Sequence, residues 1–357
     1  MSAAPGPENP PSSGHRRVVI HRAGSYDRLV VEPLAPPEPG PGEVAIDVRA
    51  AGVNYADSMV RMGLYKSAKE FVGWPITPGF EIAGVVRAVG EGVEDLAIGA
   101  PVFAVTLFGG YASTVAVKRS YVRPLPEGLS FAQAAAFPAV YLTAWYALHE
   151  LAHPRPGARI LVHSAAGGVG GALVQLGKRA GCEVTGVVGG SHKVEACRAQ
   201  GADHVIDKST QELWVEAARI APEGFDVICD ANGVSTLADS YRHLRRSGKL
   251  VVYGFASMIS KGRGRPSWVK LAVDFLRTPT FKPMDLTMES KSVLAFNLSY
   301  LYDRDDILDA AMTDLSAWLA AGDITAPPVT EYPLDDVARA HQDIESGATT
   351  GKLVLVP

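Results

Sequence analysis

The sequence predicts an α/β protein in which a doubly wound parallel sheet is joined to a second domain, an irregular β-barrel. Short β-rich segments separated by Gly and Pro fill the chain from Arg17 to about Pro126. After about Val140, apolar strands alternate with helical stretches, as in the strand-helix-strand units of a parallel sheet. The length of 357 residues accommodates two such domains.

The first half contains five segments with the composition of strands, and their Gly- and Pro-rich connections are typical of an irregular barrel. These segments are Val18–His21, Glu43–Ala50, Ile82–Val89, Val102–Val105 and Tyr111–Val117. The second half contains the strands predicted for the parallel sheet, at Ile160–His163, Val184–Val188, His204–Ile206, Asp226–Asp230, Leu250–Tyr253 and Val293–Tyr300. A basic, Pro-containing insertion at 258–290 interrupts the alternation.

Two later segments complete the domain prediction. Asp305–Ala321 has the pattern of an amphipathic helix, and Gly351–Val356 that of a strand returning to the first domain. We therefore assign residues 15–138 and 301–357 to the barrel domain and 139–300 to the parallel-sheet domain. Residues 1–14 are rich in Pro, Ser and Gly, without a basic start or an apolar core, which predicts a disordered tail rather than a signal peptide.

Composition excludes several classes of function. The formal net charge of −4 gives no overall attraction for nucleic acid or anionic lipid. Cys182, Cys197 and Cys229 lack paired spacing, which predicts reduced, buried thiols. The long apolar stretch 131–151 contains Pro138 and Glu150, so we expect a buried helix rather than a membrane span.

The most informative motif is the glycine-rich run Ser164-Ala-Ala-Gly-Gly-Val-Gly-Gly171, placed between a strand and an apolar helix, Ala172–Ala180. Turn glycines let the backbone approach a pyrophosphate, whose charge is stabilised by the free N–H groups and the positive end of the helix dipole. Ala165 stands where the standard pattern has glycine. The run predicts a dinucleotide site.

The end of the second strand of this domain predicts the choice of cofactor. An NAD-specific fold places an acidic residue there to bind the ribose hydroxyls, but the chain continues as Gly189-Gly-Ser191-His-Lys193, and Glu183 lies at the opposite end of the strand. Ser191 and Lys193 provide a hydroxyl and a positive charge for a 2′-phosphate. NADPH is therefore favoured over NADH.

Several motifs together resemble those of a known family, from about residue 17 to the C-terminus. They are Ala50–Asp57 (AAGVNYAD), Gly63–Tyr65, Pro78–Gly84 (PGFEIAG), Gln133–Ala136, the glycine turn, and Gly351–Lys352. The chain resembles the zinc-independent quinone oxidoreductase branch of the medium-chain dehydrogenase/reductase superfamily. Phe296–Leu301 and the long segment before it are most similar to the vesicle amine transport protein subgroup.

The resemblance implies a GroES-like catalytic domain packed on a Rossmann domain, with NADPH in the cleft between them. It assigns Gly167, Gly168, Val169 and Gly170 to the pyrophosphate, and Gly189, Ser191 and Lys193 to the adenosine phosphate. It places Phe296 and Leu298 beside the nicotinamide. The other cofactor-binding residues that it implies are Asn54, Thr143, Ala166, Asn232, Tyr253, Gly254, Phe255, Ser257 and Lys352. Lys208 replaces a tyrosine of the family, and it is either a cation near the adenosine phosphate or a solvated lysine.

The zinc-dependent relatives have a cysteine where this chain has Asn54 and a histidine where it has Phe80, and they carry a four-cysteine lobe that is missing here. Zinc catalysis requires about three protein ligands and an open position, so no metal site is expected. A hydride acceptor without Lewis-acid activation must already be electrophilic. The expected substrate is therefore a quinone or an α,β-unsaturated carbonyl.

Hydride transfer leaves negative charge on the acceptor oxygen, which a nearby O–H or N–H donor would stabilise. Asn54, Tyr55 and Tyr65 are the candidates. Tyr65 aligns with the tyrosine that enoyl-thioester reductases use as a proton donor, but a tyrosine that only fills the rim of the cleft remains the alternative.

The sequence therefore predicts a cytoplasmic, NADPH-dependent, zinc-independent reductase of quinones or enones that forms a homodimer through the edge strand at Val293–Tyr300. One alternative is an enoyl-thioester reductase. Another is a membrane-associated protein with little turnover, because Lys261, Arg263, Arg265 and Lys270 flank the apolar run Trp268–Leu276, although a solvated loop explains the same composition.

Overall fold

The computed structural model describes residues 14–259 and 264–357. Its strands form two large sheets and one small pair. The described strands are β1 (Arg16–Val19), β2 (Val30–Pro33), β3 (Glu43–Val53), β4 (Glu81–Val89), β5 (Pro101–Val105), β6 (Thr114–Lys118), β7 (Val122–Pro124), β8 (Arg159–His163), β9 (Glu183–Val188), β10 (His204–Asp207), β11 (Phe225–Asp230), β12 (Leu244–Val252), β13 (Ser292–Ala295), β14 (Val329–Pro333) and β15 (Lys352–Val356). The small pair β1–β2 lies outside both sheets.

The described helices are α1 (Tyr55–Arg61), α2 (Lys66–Phe71), α3 (Phe131–Ala135), α4 (Pro138–Trp145), α5 (Gly168–Arg179), α6 (Val194–Ala199), α7 (Leu213–Ile220), α8 (Leu237–Arg242), α9 (Trp268–Arg277), α10 (Pro283–Glu289), α11 (Asp305–Ala321) and α12 (Val337–Ser346). The helix predicted at Asp305–Ala321 has the expected bounds. The buried apolar stretch 131–151 forms α3, α4 and a π-helical continuation, because Pro138 starts a new helix where its missing N–H costs nothing.

The second half of the chain forms the predicted parallel sheet. Its six strands follow the order β10-β9-β8-β11-β12-β13, and every neighbouring pair is parallel. The strand order reverses between β8 and β11, and such a switch point opens a crevice at the carboxyl ends of the strands. The glycine turn follows β8 and therefore lies at this crevice.

The first half of the chain forms the predicted GroES-like β domain. Its strand order is β14-β15-β3-β4-β5-β7, with β6 also paired to β3. The C-terminal strand β15 is antiparallel to β3, which confirms its predicted return to the first domain. Gly351, just before β15, forms a parallel bridge with Gly167 of the glycine turn. The two sheets are thus joined directly beside the predicted pyrophosphate site.

The strand predicted at Val293–Tyr300 is too long. β13 ends at Ala295, and a 3-10 turn runs from Leu298 to Leu301. The Asn297 side chain accepts a hydrogen bond from the Ser299 N–H and so starts the turn. The predicted tail falls almost entirely on residues 1–13, which lie outside the described residues, as do Lys261 and Arg263 of the basic insertion.

All three cysteines are free and buried, as predicted. Burial raises the pKa of the Cys197 and Cys229 thiols to about 12, which keeps them protonated and unreactive. Over residues 14–259 and 264–357, the structure contains no helix with the length and apolar character needed to cross a bilayer.

Candidate active site

The glycine turn forms a cradle at the N-terminus of α5. Ser164 leaves β8 with a positive φ of 56°, and Gly167 caps the twelve-residue helix that begins at Gly168. A Cβ at Gly170 would lie 2.2 Å from the Ser164 carbonyl oxygen, so only glycine allows the helix to pack this closely on the turn. The first N–H groups of the helix are left to bind an anion.

The cradle also contacts the other domain through Lys352. A Cβ at Gly168 would lie 2.8 Å from Lys352 Cδ, and on the side of its own domain it would lie 2.9 Å from Val140 Cγ1. Gly351 donates its N–H to the Ala166 carbonyl at 3.2 Å. A dinucleotide pyrophosphate fits this arrangement, because bare backbone, a helix N-terminus and the stem of a lysine converge at one place.

At the end of β9, the loop that was predicted to bind the 2′-phosphate is tied to its surroundings. Ser191 Oγ lies 2.5 Å from Asp207 Oδ2, and Lys193 Nζ donates to the carbonyls of Gly347 at 2.6 Å and Thr349 at 2.8 Å. A Cβ at Gly189 would lie 3.9 Å from Lys208 Cε, so both lysines flank this loop. The structure also brings a carboxylate, Asp207, next to Ser191.

Asp207 is held by several donors. Its Oδ1 accepts from the Ser209 N–H at 2.9 Å and from the Ser209 hydroxyl at 2.6 Å. These bonds and the one from Ser191 lower the pKa of Asp207 to about 2, with the Ser191 bond the largest cause. The carboxylate is therefore charged, and it engages the one hydroxyl hydrogen of Ser191.

The ends of β11 and β12 bring five predicted residues together. Asn232 Oδ1 accepts from the Ser164 hydroxyl at 3.2 Å, and the Asn232 carbonyl accepts from the Ser257 N–H at 2.9 Å. A Cβ at Gly254 would lie 2.8 Å from the Ala231 carbonyl. The backbone here passes too closely for a side chain, which leaves the crevice open beside the glycine turn. The five residues are Asn232, Tyr253, Gly254, Phe255 and Ser257.

The predicted neighbours of the nicotinamide lie further along the same crevice. Phe296 packs between Tyr146 and Tyr253, at ring-centroid distances of 4.8 and 6.4 Å. Leu298 packs on the main core cluster. Thr143 donates to the Ala139 carbonyl at 2.7 Å within α4, so its hydroxyl hydrogen is used inside the helix.

The strongest electrostatic feature is a group of three polar side chains, the buried Glu81 and Lys352 and the half-buried Asn54. Lys352 Nζ lies 2.6 Å from Glu81 Oε1 and 2.7 Å from Asn54 Oδ1, and Asn54 Nδ2 donates to Glu81 Oε1 at 2.8 Å. The second Glu81 oxygen accepts from the Ala139 N–H at 2.7 Å. Glu81 and Lys352 are buried, so the ion pair is shielded from water and fixes the amide of Asn54.

Asp57 lies beneath this group and braces the loop that carries Asn54. It accepts from the N–H groups of Asn54 and Gly79, each at 2.8 Å, and from the Tyr111 hydroxyl at 2.9 Å. Burial nevertheless outweighs these bonds and raises the pKa of Asp57 to about 7. The contacts of Asp57 are with the protein, which indicates a structural role.

Tyr65 lines the cleft at the start of α2. Its hydroxyl donates to Asn297 Oδ1 at 2.8 Å, and its ring packs edge-on against Phe80 and Phe108. Burial raises the pKa of the Tyr65 phenol, so it stays a proton donor. Tyr55 has other neighbours: its hydroxyl lies 3.4 Å from the Ala256 carbonyl, and burial raises its pKa to about 12.

Three residues of the candidate site were missed as functional groups by the sequence reasoning: Glu81, Asp207 and Asn297. Glu81 lies inside the quoted motif Pro78–Gly84, where a carboxylate within an apolar strand was a usable signal of a buried partner. Asn297 lies inside the quoted Phe296–Leu301 segment. Asp207 gave no signal, because its contact with Ser191 depends on the pairing of β9 with β10.

Across the described residues, 14–259 and 264–357, no three His, Cys, Asp or Glu side chains are grouped in a way that could hold a metal ion. Phe80 is buried against Tyr65 and Phe108. Asn54 is held by Glu81 and Lys352. The donors available to a ligand are therefore hydroxyl, amide and ammonium groups.

Comparison with known proteins agrees with this architecture. The family model described as "Alcohol dehydrogenase GroES-like domain" matches residues 40–127, and the one described as "Zinc-binding dehydrogenase" matches residues 200–355. Over 350 residues the chain is 34% identical to the rat (Rattus norvegicus) protein described as "Synaptic vesicle membrane protein VAT-1 homolog". That match covers 96% of this chain and 84% of the rat protein.

Solved structures are similar over nearly the whole chain. The quinone oxidoreductase of Escherichia coli complexed with NADPH has a TM-score of 0.82 at 29% identity, covering 96% of this chain and 100% of that one. The CurK enoyl reductase has a TM-score of 0.83 at 27% identity, covering 96% of this chain and 99% of that one. The chain therefore belongs to the medium-chain dehydrogenase/reductase superfamily, with the VAT-1 homologues among its relatives and quinone oxidoreductases among its structural neighbours.

Proposed function

We propose that this protein is an NADPH-dependent reductase that transfers hydride to a quinone or an α,β-unsaturated carbonyl. The observation that carries the proposal is the Tyr65 phenol, a protonated donor beside apolar rings that bonds Asn297 just after β13, at the same carboxyl edge of the parallel sheet as the glycine cradle. The names of the neighbouring quinone oxidoreductase and enoyl reductase support this reaction class.

Different residues of the chain would bind the cofactor and stabilise the acceptor. Gly167, Gly168 and the N-terminus of α5 would hold the pyrophosphate, and the Asn54–Lys352 pair would lie towards the nicotinamide end. NADPH, when bound, supplies a hydride. Tyr65 then donates a hydrogen bond to the acceptor oxygen on which negative charge develops. The aromatic rings of Phe80 and Phe108 keep water from this wall.

NADPH rather than NADH is proposed from the charges at the β9 loop. Lys193 and Lys208 flank the loop, whereas the Asp207 carboxylate opposes a phosphate there. Ser191 has its hydrogen engaged by Asp207, so the lysines would supply most of the attraction. The Escherichia coli structure, which contains NADPH, supports the same choice.

The test is the variant Tyr65→Phe, which removes only the hydroxyl. A quinone gains aromatic stabilisation as it accepts hydride and needs little help, whereas an enone builds charge on one oxygen. We therefore expect kcat with an enone to fall roughly 10²-fold, and quinone turnover to fall much less. Steady-state kinetics at saturating NADPH measure both. Equal small losses would show that Tyr65 only fills the cleft rim.

An enoyl thioester is the second acceptor class that the site accommodates, and the similarity to the CurK enoyl reductase favours testing it. The same hydroxyl would donate to the thioester oxygen. Comparing kcat/KM for a crotonyl thioester and for naphthoquinone separates the two activities, because a preference for the thioester would assign the protein to enoyl reduction.

A membrane-associated role is a second candidate, favoured by one observation. The insertion forms α9 and α10, whose apolar side chains include Trp268, Phe275 and Met288, exposed to 70%, 74% and 77%. Lys270, however, donates to Asp274 and to the Ser257 carbonyl, so its ammonium group is bound to the protein and is not directed towards a lipid headgroup. Co-sedimentation with anionic liposomes at low and high salt tests this role, and a Trp268→Ser/Phe275→Ser variant that binds as well as the parent would refute it.

We also propose a homodimer joined at β13. Among residues 14–259 and 264–357, this strand is the last in the parallel sheet and pairs with β12 alone. An open edge of this kind can extend the sheet with the same strand of a second copy. Sedimentation velocity measures the mass in solution, and a monomer at micromolar concentration would contradict the proposal.

A further inference from the structure

Asn297 lies against Tyr65 on the wall of the cleft, and three donors converge on its side-chain oxygen. Asn297 Oδ1 is 2.8 Å from the Tyr65 hydroxyl, 3.1 Å from the Ser299 N–H and 2.8 Å from the Ser299 hydroxyl. A backbone N–H can only donate, so the side-chain atom facing Ser299 must be the amide oxygen and not the nitrogen. The contact with the backbone therefore decides the orientation of the amide.

The rest of the network reinforces that orientation. The Ser299 hydroxyl also lies 2.7 Å from the buried Ser67 hydroxyl. Ser299 has one hydroxyl hydrogen, so when it donates to Asn297, Ser67 donates to Ser299. The chain of hydroxyls thus crosses from α2 to the 3-10 turn after β13 and ends on the amide oxygen. Fixing the oxygen turns the NH2 end away from this network.

The Asn297 NH2 group is left as an available donor. Within residues 14–259 and 264–357, no group accepts a hydrogen bond from Asn297 Nδ2, and the side chain is only half-buried. The Tyr65 hydroxyl, one hydrogen bond away, is the proposed donor to the acceptor oxygen. The amide nitrogen shares its carbon with Oδ1, so it lies within about 5 Å of the Tyr65 hydroxyl oxygen, and a single acceptor oxygen can accept from both donors across that gap.

We propose that Asn297 Nδ2 is a second hydrogen-bond donor to the oxygen of the bound acceptor, beside the Tyr65 hydroxyl. This assignment rests on the proposed reductase function and names a further residue of that site. Two donors on one oxygen would favour acceptors that develop a localised oxyanion, such as enones. Asn297 has a second, positioning effect, because its oxygen holds the Tyr65 hydroxyl until an acceptor displaces it.

The test uses binding as well as turnover. The probe is 4-nitrophenolate, used in buffer well above the pKa of 4-nitrophenol so that its oxygen is fully ionised, and nitrobenzene is the matched ring without that oxygen. Both are titrated calorimetrically into the protein saturated with NADP⁺. Asn297→Asp keeps an oxygen towards Ser299 and Tyr65 but replaces NH2 with an acceptor. We expect it to weaken 4-nitrophenolate about ten-fold or more and to leave nitrobenzene unchanged.

A second comparison, between Tyr65→Phe and Tyr65→Phe/Asn297→Leu, avoids the negative charge that Asn297→Asp introduces. In a Tyr65→Phe background, Asn297→Leu eliminates the NH2 donor without adding charge and without releasing the Tyr65 hydroxyl, and the Ser299 hydroxyl that it frees can donate to Ser67. We again expect a loss of about ten-fold for 4-nitrophenolate. Tyr300→Phe is the matched control, since it removes an exposed hydroxyl of the same 3-10 turn that bonds Glu70 and not the amide, and its affinity should stay near that of the parent.

The outcomes separate this inference from the proposed function. If the parent reduces no acceptor, the reductase proposal fails, while the binding titrations still decide whether Asn297 contacts an anionic oxygen. If the parent binds 4-nitrophenolate no better than nitrobenzene, or if both Asn297 variants keep their affinity for 4-nitrophenolate, Asn297 is not a donor. Thermal unfolding of each variant confirms that it is folded.

Discussion

Two aspartates at opposite ends of the cleft have opposite pKa shifts. Asp57, towards the proposed nicotinamide end, has its pKa raised to about 7 because it is buried. Asp207, at the proposed adenosine end, has its pKa lowered to about 2 because the hydroxyls of Ser191 and Ser209 and a backbone N–H bond its carboxylate. The comparison shows that the same residue type can brace a buried loop at one end and supply a negative charge at the other.

The two ends also differ in how far apart their partners are in the sequence. Asp207 bonds residues 2 and 16 positions away, whereas Asn54 and Lys352 are 298 positions apart. The adenosine end is therefore a local loop, and the nicotinamide end is assembled by the pairing of β3 with β15. We expect substitutions at the nicotinamide end to affect folding, and those at the adenosine end to affect cofactor choice.

The largest effect is expected for Glu81→Gln. The variant leaves the buried Lys352 ammonium without a countercharge, since the 2.6 Å contact with Glu81 is its ion pair. Removing one partner of a buried pair typically costs about 3–5 kcal/mol of unfolding free energy. Urea unfolding measures the loss.

A matched control for Glu81→Gln is Glu183→Gln, which breaks half-exposed pairs with Arg159 and His204 at the edge of the parallel sheet opposite the glycine turn. Such pairs contribute at most about 1 kcal/mol. If the two variants lose the same free energy, the Glu81–Lys352 pair is not the electrostatic anchor of the nicotinamide end.

The difference between partners that are near and far in the sequence also explains which features the sequence could predict. The glycine turn, the parallel sheet and α11 follow from local spacing, and the structure confirms them. The partners of Asn54 and Tyr65 could not be predicted, because Glu81 and Asn297 reach them only through sheet pairing and the packing of the two domains. β13 ends earlier than predicted because the Asn297 side chain accepts a hydrogen bond from the Ser299 N–H and starts a turn. A prediction from the spacing of apolar residues does not include such a bond.

The second prediction uses the pKa of Asp57. Because the folded pKa of about 7 exceeds the ordinary 3.8, the fold favours the protonated form, and stability falls as pH rises between these values. Relative to Asp57→Asn, the parent should lose roughly 1.4 kcal/mol per pH unit between about pH 4 and pH 7. Urea unfolding at four pH values gives the slope.

Asp207→Asn tests a pH dependence of stability opposite in sign to that of Asp57. The folded pKa of about 2 lies below the ordinary 3.8, so the stability that Asp207 contributes is present above that value and is lost as pH falls towards 2. The difference between parent and Asp207→Asn should therefore be flat from pH 5 to pH 8. Parallel curves for the two asparagine variants would mean that the two carboxylates have similar environments.

The smallest effect is expected for Lys193→Ala, at the adenosine end. Lys193 is anchored by the carbonyls of Gly347 and Thr349, which place its charge beside the β9 loop. Loss of one charged contact should weaken NADPH by roughly ten-fold and leave NADH nearly unchanged. Calorimetric titration of both cofactors measures the change.

The control for Lys193→Ala is Arg198→Ala on α6, which removes the same charge from a side chain that pairs with Glu195 rather than with the β9 loop. A general electrostatic effect would weaken NADPH in both variants, whereas a local contact weakens it only in Lys193→Ala. If the parent itself binds NADPH and NADH equally, the Asp207 carboxylate cancels the lysines, and the adenosine end does not select the cofactor. Unfolding free energy should stay near that of the parent in Lys193→Ala, because the lysine bonds carbonyls at the protein surface rather than a buried charge.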